Sequence, residues 1–178
     1  MIDKDLFWNI RSVNTQNSFG RLVDLNRRNN YNFIALIEPF QAPTEIHNFR
    51  VRLGFDNAFV NSSGKIWIFW RNEWEGVVLQ NAIQQLTMKF SWGGRIFFIT
   101  SIYARCDAIE RLELWEELEE MDTAGSPWLV GRDFNVILNK EEKLGGQEFS
   151  QHEATDFAMC INSCALTEVR FTGSKYTW

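Results

Sequence analysis

At 178 residues the chain is sized for one globular domain with a substantial core. Hydrophobic residues make up 45% and charged residues 23%, which excludes a disordered or fibrous protein. Eighteen basic against 23 acidic side chains give a net charge of −5, an argument against a general nucleic-acid coat. Eight of those acids fall between Asp107 and Asp122 beside the lone base Arg111, so one acidic segment sets the sign and the remainder is slightly basic. A local phosphate-binding face elsewhere is therefore compatible with the total.

The start, Met1-Ile2-Asp3-Lys4-Asp5, has no basic region, apolar stretch or cleavage site of a secretory signal, and no apolar run reaches bilayer-spanning length. The expectation is an intracellular protein with no membrane partner, its oligomeric state open and a nuclear location compatible. The three cysteines, Cys106, Cys160 and Cys164, form neither a disulfide framework nor a zinc ribbon. Cys160 and Cys164, four apart with His152 nearby, suggest buried small apolar residues before a metal site.

Residues 6–10 (Leu-Phe-Trp-Asn-Ile) predict a buried strand, and Phe19, Leu22, Val23 and Asn26 a helix with Ser18 as its N-cap. Residues 33–37 (Phe-Ile-Ala-Leu-Ile) predict a second strand, stopped at Glu38-Pro39 because the residue before proline resists the helical conformation. Strand, helix and strand within this span suggest a βαβ start. Residues 58–60 and 65–70, joined by Asn61-Ser62-Ser63-Gly64, predict a hairpin. Residues 77–90 and 95–102 predict another pair, turning at Trp92-Gly93-Gly94. A capping box at Asp107-Ala108-Ile109-Glu110 opens a helix striped by Leu114, Leu118 and Met121. A strand at 128–131 precedes the loop Arg132-Asp133-Phe134-Asn135. A second capping box, Ser150-Gln151-His152-Glu153, opens a helix presenting Phe157, Ile161 and Cys164. The text then turns β-like at 169–172, with a turn at Gly173-Ser174 and a last strand at 176–178.

Polar residues recur at the downstream ends of apolar strands: Asn9, Glu38, Tyr103, and Asp133 with Asn135. Ligands of α/β sheets bind beyond the carboxyl ends of strands, so these positions are natural site candidates. Glu38 and Asp133 are hard oxygen donors suited to Mg²⁺, and the two asparagines hold metal-bound water or phosphate oxygen without adding charge. Tyr103 offers a hydrogen bond to a developing oxyanion. The group set describes metal-assisted attack of water on a phosphodiester, though without a separate general base. His47, in a polar segment after Pro43, and His152, inside a capping box, are poor candidates for that part.

The ordered motifs Trp8-Asn9-Ile10-Arg11, Leu36-Ile37-Glu38, Ser101-Ile102-Tyr103-Ala104 and Asp133-Phe134-Asn135 resemble those of the endonuclease/exonuclease/phosphatase superfamily, the DNase I-like proteins. Longer phrases narrow the resemblance to the endonuclease domain of plant LINE-type (non-LTR) retrotransposons. They are Arg111-Leu112-Glu113-Leu114-Trp115, Trp128-Leu129-Val130-Gly131, Asn135-Val136-Ile137-Leu138-Asn139, Glu142-Lys143-Leu144-Gly145-Gly146 and the closing Phe171-Thr172-Gly173-Ser174-Lys175-Tyr176-Thr177-Trp178. The resemblance covers essentially residues 1–178 and implies one α/β domain, a sandwich of two mixed β-sheets flanked by helices. It implies Mg²⁺ (or Mn²⁺) as cofactor, DNA as partner and a DNA-nicking phosphodiesterase activity. Asn9 and Glu38 would hold the metal and the scissile phosphate, and Tyr103 would stabilise the transition state. Asp133 would orient or activate water, Asn135 would bind phosphate or position Asp133, and Thr177 would lie near the DNA backbone.

Three departures from the family pattern qualify those expectations. The family continues through further strands to a Ser-Asp-His-type motif whose His completes the catalytic pair, so the expected fold is incomplete at the C-terminus and the activity of the chain weak or lost. Arg132 stands where a small residue, commonly Gly, precedes the Asp, and it could pair with Asp133 or with substrate phosphate. Ser12 replaces a glycine, which strains the turn if that position needs positive φ. The alternatives are an inactive remnant that binds nucleic acid or a protein partner, and another phosphoesterase of the same superfamily.

Overall fold

The computed structural model describes residues 4–142 and 148–169. The strand-like text at 170–178, with Thr177 in it, therefore lies outside the described residues, as does the expectation for the Arg132 side chain. The chain divides into two compact units, residues 1–103 with 123–133, and residues 104–122 with 134–178.

The first unit contains two four-stranded mixed sheets. One has the order β1 (Asp5–Asn9), β2 (Phe33–Ile37), β4 (Ile66–Trp70), β3 (Asn57–Val60). The other runs β5 (Glu75–Asn81), β6 (Gln85–Trp92), β7 (Arg95–Tyr103), β8 (Trp128–Asp133). Each sheet has one parallel pair, β1 with β2 and β7 with β8, and the remaining pairs are antiparallel. The parallel pairing of β1 with β2 through α1 (Gln16–Asn29) is the predicted βαβ unit.

The unbroken apolar runs follow from burial on both faces. Phe33, Ala35 and Ile37 of β2, with Ile66, Ile68 and Trp70 of β4, pack against Leu86, Met88, Phe90 and Ile99 of the second sheet. The alternate residues Ile34, Leu36, Trp67 and Phe69 turn the other way, onto Leu22 of α1 and Phe49 and Leu53 of α2 (Ile46–Leu53). Aromatic edge-to-face contacts fill both layers, such as Phe33 with Phe90 at 5.9 Å and Phe49 with Trp67 at 5.6 Å. Asn26, buried in α1, donates from Nδ2 to the Leu53 carbonyl at 3.0 Å and ties the two helices together.

In the first unit, local expectations are corrected at α1 and in the run 77–90. The N-cap of α1 is Thr15, whose Oγ1 accepts from the Ser18 backbone N–H at 3.1 Å; Ser18 is the third helical residue, the one being capped. The run 77–90 is two strands, broken at 82–84 with no Gly or Pro to announce it. Asn61 of the β3–β4 hairpin holds that turn from outside, donating from Nδ2 to the carbonyls of Ala82 (3.0 Å) and Ile83 (3.3 Å). The β6–β7 turn behaves as its sequence suggests, with Gly93 and Gly94 both at positive φ, the conformation tight hairpins require.

In the second unit, α3 (Leu112–Glu119) and α4 (Gln151–Ser163) pack through Trp115, Phe134 and Phe157, with Phe134 and Phe157 centroids 4.6 Å apart. Ser150 caps α4 as expected, its Oγ accepting from the Glu153 N–H at 3.4 Å. The Asp107 carboxylate accepts from the N–H groups of Ile109 and Glu110, but the α-helix proper begins a turn later, at Leu112. Met121 consequently falls beyond the helix end. The buried face of α4 is Ala154, Phe157 and Cys160 instead of Phe157, Ile161 and Cys164. Among the described residues no helix is long and apolar enough to cross a membrane.

Gly131 of β8 lies flat against the Phe7 ring of β1: an added Cβ would stand 1.9 Å from that ring's Cδ1. We expect Gly131→Ala to destabilise the fold by about 1–3 kcal/mol, the usual range for overpacking. Urea unfolding should show that loss, and Phe7→Leu in the same chain should recover part of it.

Candidate active site

Parallel pairing places the carboxyl ends of β1 and β2 on one side of the first sheet, and those of β7 and β8 on one side of the second. Asn9 closes β1 opposite Ile37, and Glu38 follows directly. Tyr103 and Asp133 close β7 and β8 opposite one another. Two hydrogen bonds then cross between the sheets. Asn9 Nδ2 donates to Asp133 Oδ2 at 2.6 Å, and the Tyr103 hydroxyl donates to Glu38 Oε1 at 2.6 Å. Four residues far apart in sequence thus form one constellation with a neutral donor facing each carboxylate. Charge-assisted, partly buried bonds of this kind contribute about 1.5–3 kcal/mol each.

Local backbone geometry aims these groups. Glu38 has φ +54°, and its main chain is held at both ends: its N–H donates to the Lys65 carbonyl and its carbonyl accepts from Ser12 N–H, each at 2.9 Å. Pro39 follows and is buried, its carbonyl accepting from Val13 N–H at 2.9 Å. Arg11 at +45° and Ser12 at +97° are also left-handed, so the glycine absent at Ser12 is missing from a position that favours glycine. Arg11 Nε stands 4.0 Å from Glu38 Oε2 with its side chain 68% exposed, too long and too wet to neutralise the carboxylate.

Asn9 supplies the test of a metal. Its amide nitrogen must face Asp133, because a carboxylate only accepts, and this leaves Asn9 Oδ1 buried with no hydrogen-bond partner. A buried acceptor without a donor is costly unless something positive meets it. With Glu38 and Asp133 it makes a hard-oxygen donor set that fits Mg²⁺ or Mn²⁺, cations that keep several waters and take one or two carboxylates. Among the described residues no three His, Cys, Asp or Glu side chains gather as a caged metal site, and the set does not suit a softer metal.

The other expected participants stand differently. Asn135 belongs to the second unit, at φ +51°, with Nδ2 donating to the Ala104 carbonyl at 2.6 Å. That bond ties the residue after Tyr103 to the second residue after Asp133. His47 lies 3.4 Å from Arg50, and His152 is solvent-exposed beside Asp156 at 3.2 Å, so neither ring is committed to the strand ends. Burial pushes the Cys160 thiol up, with Cys164 adding to the effect, and partial burial likewise raises Cys164; Cys160 is the buried apolar residue expected, while Cys164 is only half-buried.

The sequence marks no role for Arg111. Arg111 is almost fully buried and donates from Nη1 to the carbonyls of Arg105 (2.9 Å), Cys106 (2.7 Å) and Asn135 (3.3 Å), while Nη2 pairs with Glu153. The signal available in the sequence was a lone base among eight acids.

No family model matches the sequence, and no curated protein matches it as a relative. Solved structures do match the fold. The endonuclease domain of TRAS1, a telomere-specific non-LTR retrotransposon, superposes with a TM-score of 0.66 at 11% identity, over 89% of this chain and 71% of that one. An AP endonuclease from Leishmania major gives 0.62 at 12% identity, over 90% and 65%. A β-hairpin deletion mutant of beta toxin from Staphylococcus aureus gives 0.57 at 15% identity, over 98% and 77%. The fold is DNase I-like, an α/β sandwich of two mixed four-stranded sheets with flanking helices.

The Tyr103–Glu38 bond is measurable on its own. In a double-mutant cycle with Tyr103→Phe and Glu38→Gln, urea unfolding should give a coupling of about 1–3 kcal/mol at neutral pH. Coupling near zero would mean that the two side chains do not hold one another.

Proposed function

We propose that this chain is a divalent-metal-dependent phosphodiesterase that nicks DNA, an endonuclease of the non-LTR retrotransposon kind acting on DNA inside the cell. The observation that carries the reading is the constellation of Asn9, Glu38, Tyr103 and Asp133, with the partnerless oxygen of Asn9 among its donors. The retrotransposon-like phrases and the likeness of fold to the TRAS1 endonuclease domain support it.

Glu38 and Asn9 Oδ1 would hold Mg²⁺ or Mn²⁺. The bound cation supplies Lewis-acid neutralisation of charge on the phosphoryl oxygens. Tyr103, already presenting its hydroxyl to an anionic oxygen, donates to a phosphoryl oxygen as negative charge grows there. Asp133 orients the attacking water and accepts its proton, and Asn9 Nδ2 fixes which Asp133 oxygen is free to do so. Asn135 and Thr177 are assigned to the phosphate backbone by resemblance.

Nicking of supercoiled plasmid by the purified chain tests the reading. We expect nicking with Mg²⁺ or Mn²⁺ and none with EDTA. Glu38→Ala should lower the rate at least about 10²-fold, and Asp133→Asn by about 10²–10⁴-fold, the usual loss of a general base. A folded chain that nicks nothing would overturn the catalytic reading. DNA binding that survives Glu38→Ala would then favour a nucleic-acid-binding remnant.

A further inference from the structure

Two residues past Glu38 the chain holds an aromatic ring out in solvent. Phe40 is 50% exposed and sits at φ +49°, a conformation phenylalanine seldom adopts. Its neighbours hold it there: Pro39 is buried and bonded to Val13, and Glu38 N–H is bonded to the carbonyl of Lys65. That second bond seats the β3–β4 hairpin beside the segment and brings Lys65 Nζ to 4.7 Å from the Phe40 ring centroid. Between the two segments is an open cleft of about 300 Å³, lined by Phe40, Gln41, Ala42, Pro43, Gly64 and Lys65 among others.

A lone exposed phenylalanine is ordinary on a protein surface. This one combines three features: a backbone fixed in a disfavoured region, an ammonium at its face, and a cleft beside a candidate metal-binding carboxylate. An aromatic face paired with a cation is the chemistry that takes an unpaired base, the ring stacking on the base and the charge meeting the adjoining phosphate. A base inside a duplex has no free face to offer, so the ligand is a single-stranded or unpaired nucleotide.

We propose that Phe40 and Lys65 form a stacking subsite for one unpaired nucleobase, next to the candidate metal ligand Glu38. The proposal rests on the phosphodiesterase reading for the direction of the strand, but its test does not need catalysis.

Fluorescence anisotropy in EDTA, where nothing is cleaved, compares a labelled oligothymidylate with an abasic oligomer of equal length and charge. The unaltered chain should bind the base-bearing strand more tightly. Phe40→Ala and Phe40→Leu should each lower that affinity about 5- to 150-fold, towards the abasic level, and Phe40→Trp should retain it. Leucine keeps an apolar side chain without a π-face, and circular dichroism checks that each variant is folded. Equal affinity of the unaltered chain for the two strands, no binding of either, or full affinity in Phe40→Leu would overturn the proposal. Plasmid nicking with no difference among these strands and variants would sink the subsite and leave the phosphodiesterase reading standing. The expected binding pattern without nicking would do the reverse.

Discussion

Two sheets can pack face to face on apolar contacts alone, but the carboxyl ends of β1, β2, β7 and β8 meet through polar bonds, Asn9 to Asp133 and Tyr103 to Glu38. Those bonds need the edges of the sheets to approach closely, and Gly131 permits it by leaving room for Phe7 where any side chain would collide. The site is therefore a product of packing: a small residue in β8 sets the separation at which a carboxamide and a carboxylate reach one another. Neither carboxylate lacks a hydrogen-bond donor, which lets two acids share a partly buried place in the absence of a cation. Binding a cation would add to this arrangement with little rebuilding.

Strain is concentrated at the same end of the fold. Arg11, Ser12, Glu38 and Phe40 all have positive φ, and none is glycine. Non-glycine residues in such regions cost of order 1–3 kcal/mol each and persist where their surroundings over-determine them. Here the surroundings are the backbone bonds from Ser12, Val13 and Glu38, together with the apolar layers on both faces of β2. The rigid central strands thus carry the contorted segments that aim Glu38 and expose Phe40.

Much of this was legible in the sequence because the signals were local. Apolar runs such as Phe33-Ile34-Ala35-Leu36-Ile37 mark buried strands, and a polar residue at the end of each marks a candidate position. What escaped was set by distant partners. The turn at 82–84 depends on Asn61, and the break in the run 77–90 is invisible without it. Asn9 and Asp133 are 124 residues apart, so their roles as donor and acceptor belong to the fold. The cap on α1 moved from Ser18 to Thr15 because apolar periodicity marks the buried face and says little about where the first turn begins. Arg111 became a gatherer of three carbonyls, a task that no residue type announces. Asn135 Nδ2 donates to the Ala104 carbonyl, a partner 31 residues away that its motif does not announce.

We propose that these four strand ends make a place for one hard divalent cation. Electron paramagnetic resonance of Mn²⁺ titrated with the purified chain measures this directly, since bound Mn²⁺ loses the sharp signal of the free ion. We expect one site that Mg²⁺ competes for, weakened at least about tenfold by Glu38→Gln and, less strongly, by Asn9→Leu. Binding unchanged in Glu38→Gln, or no binding by a folded chain, would contradict it.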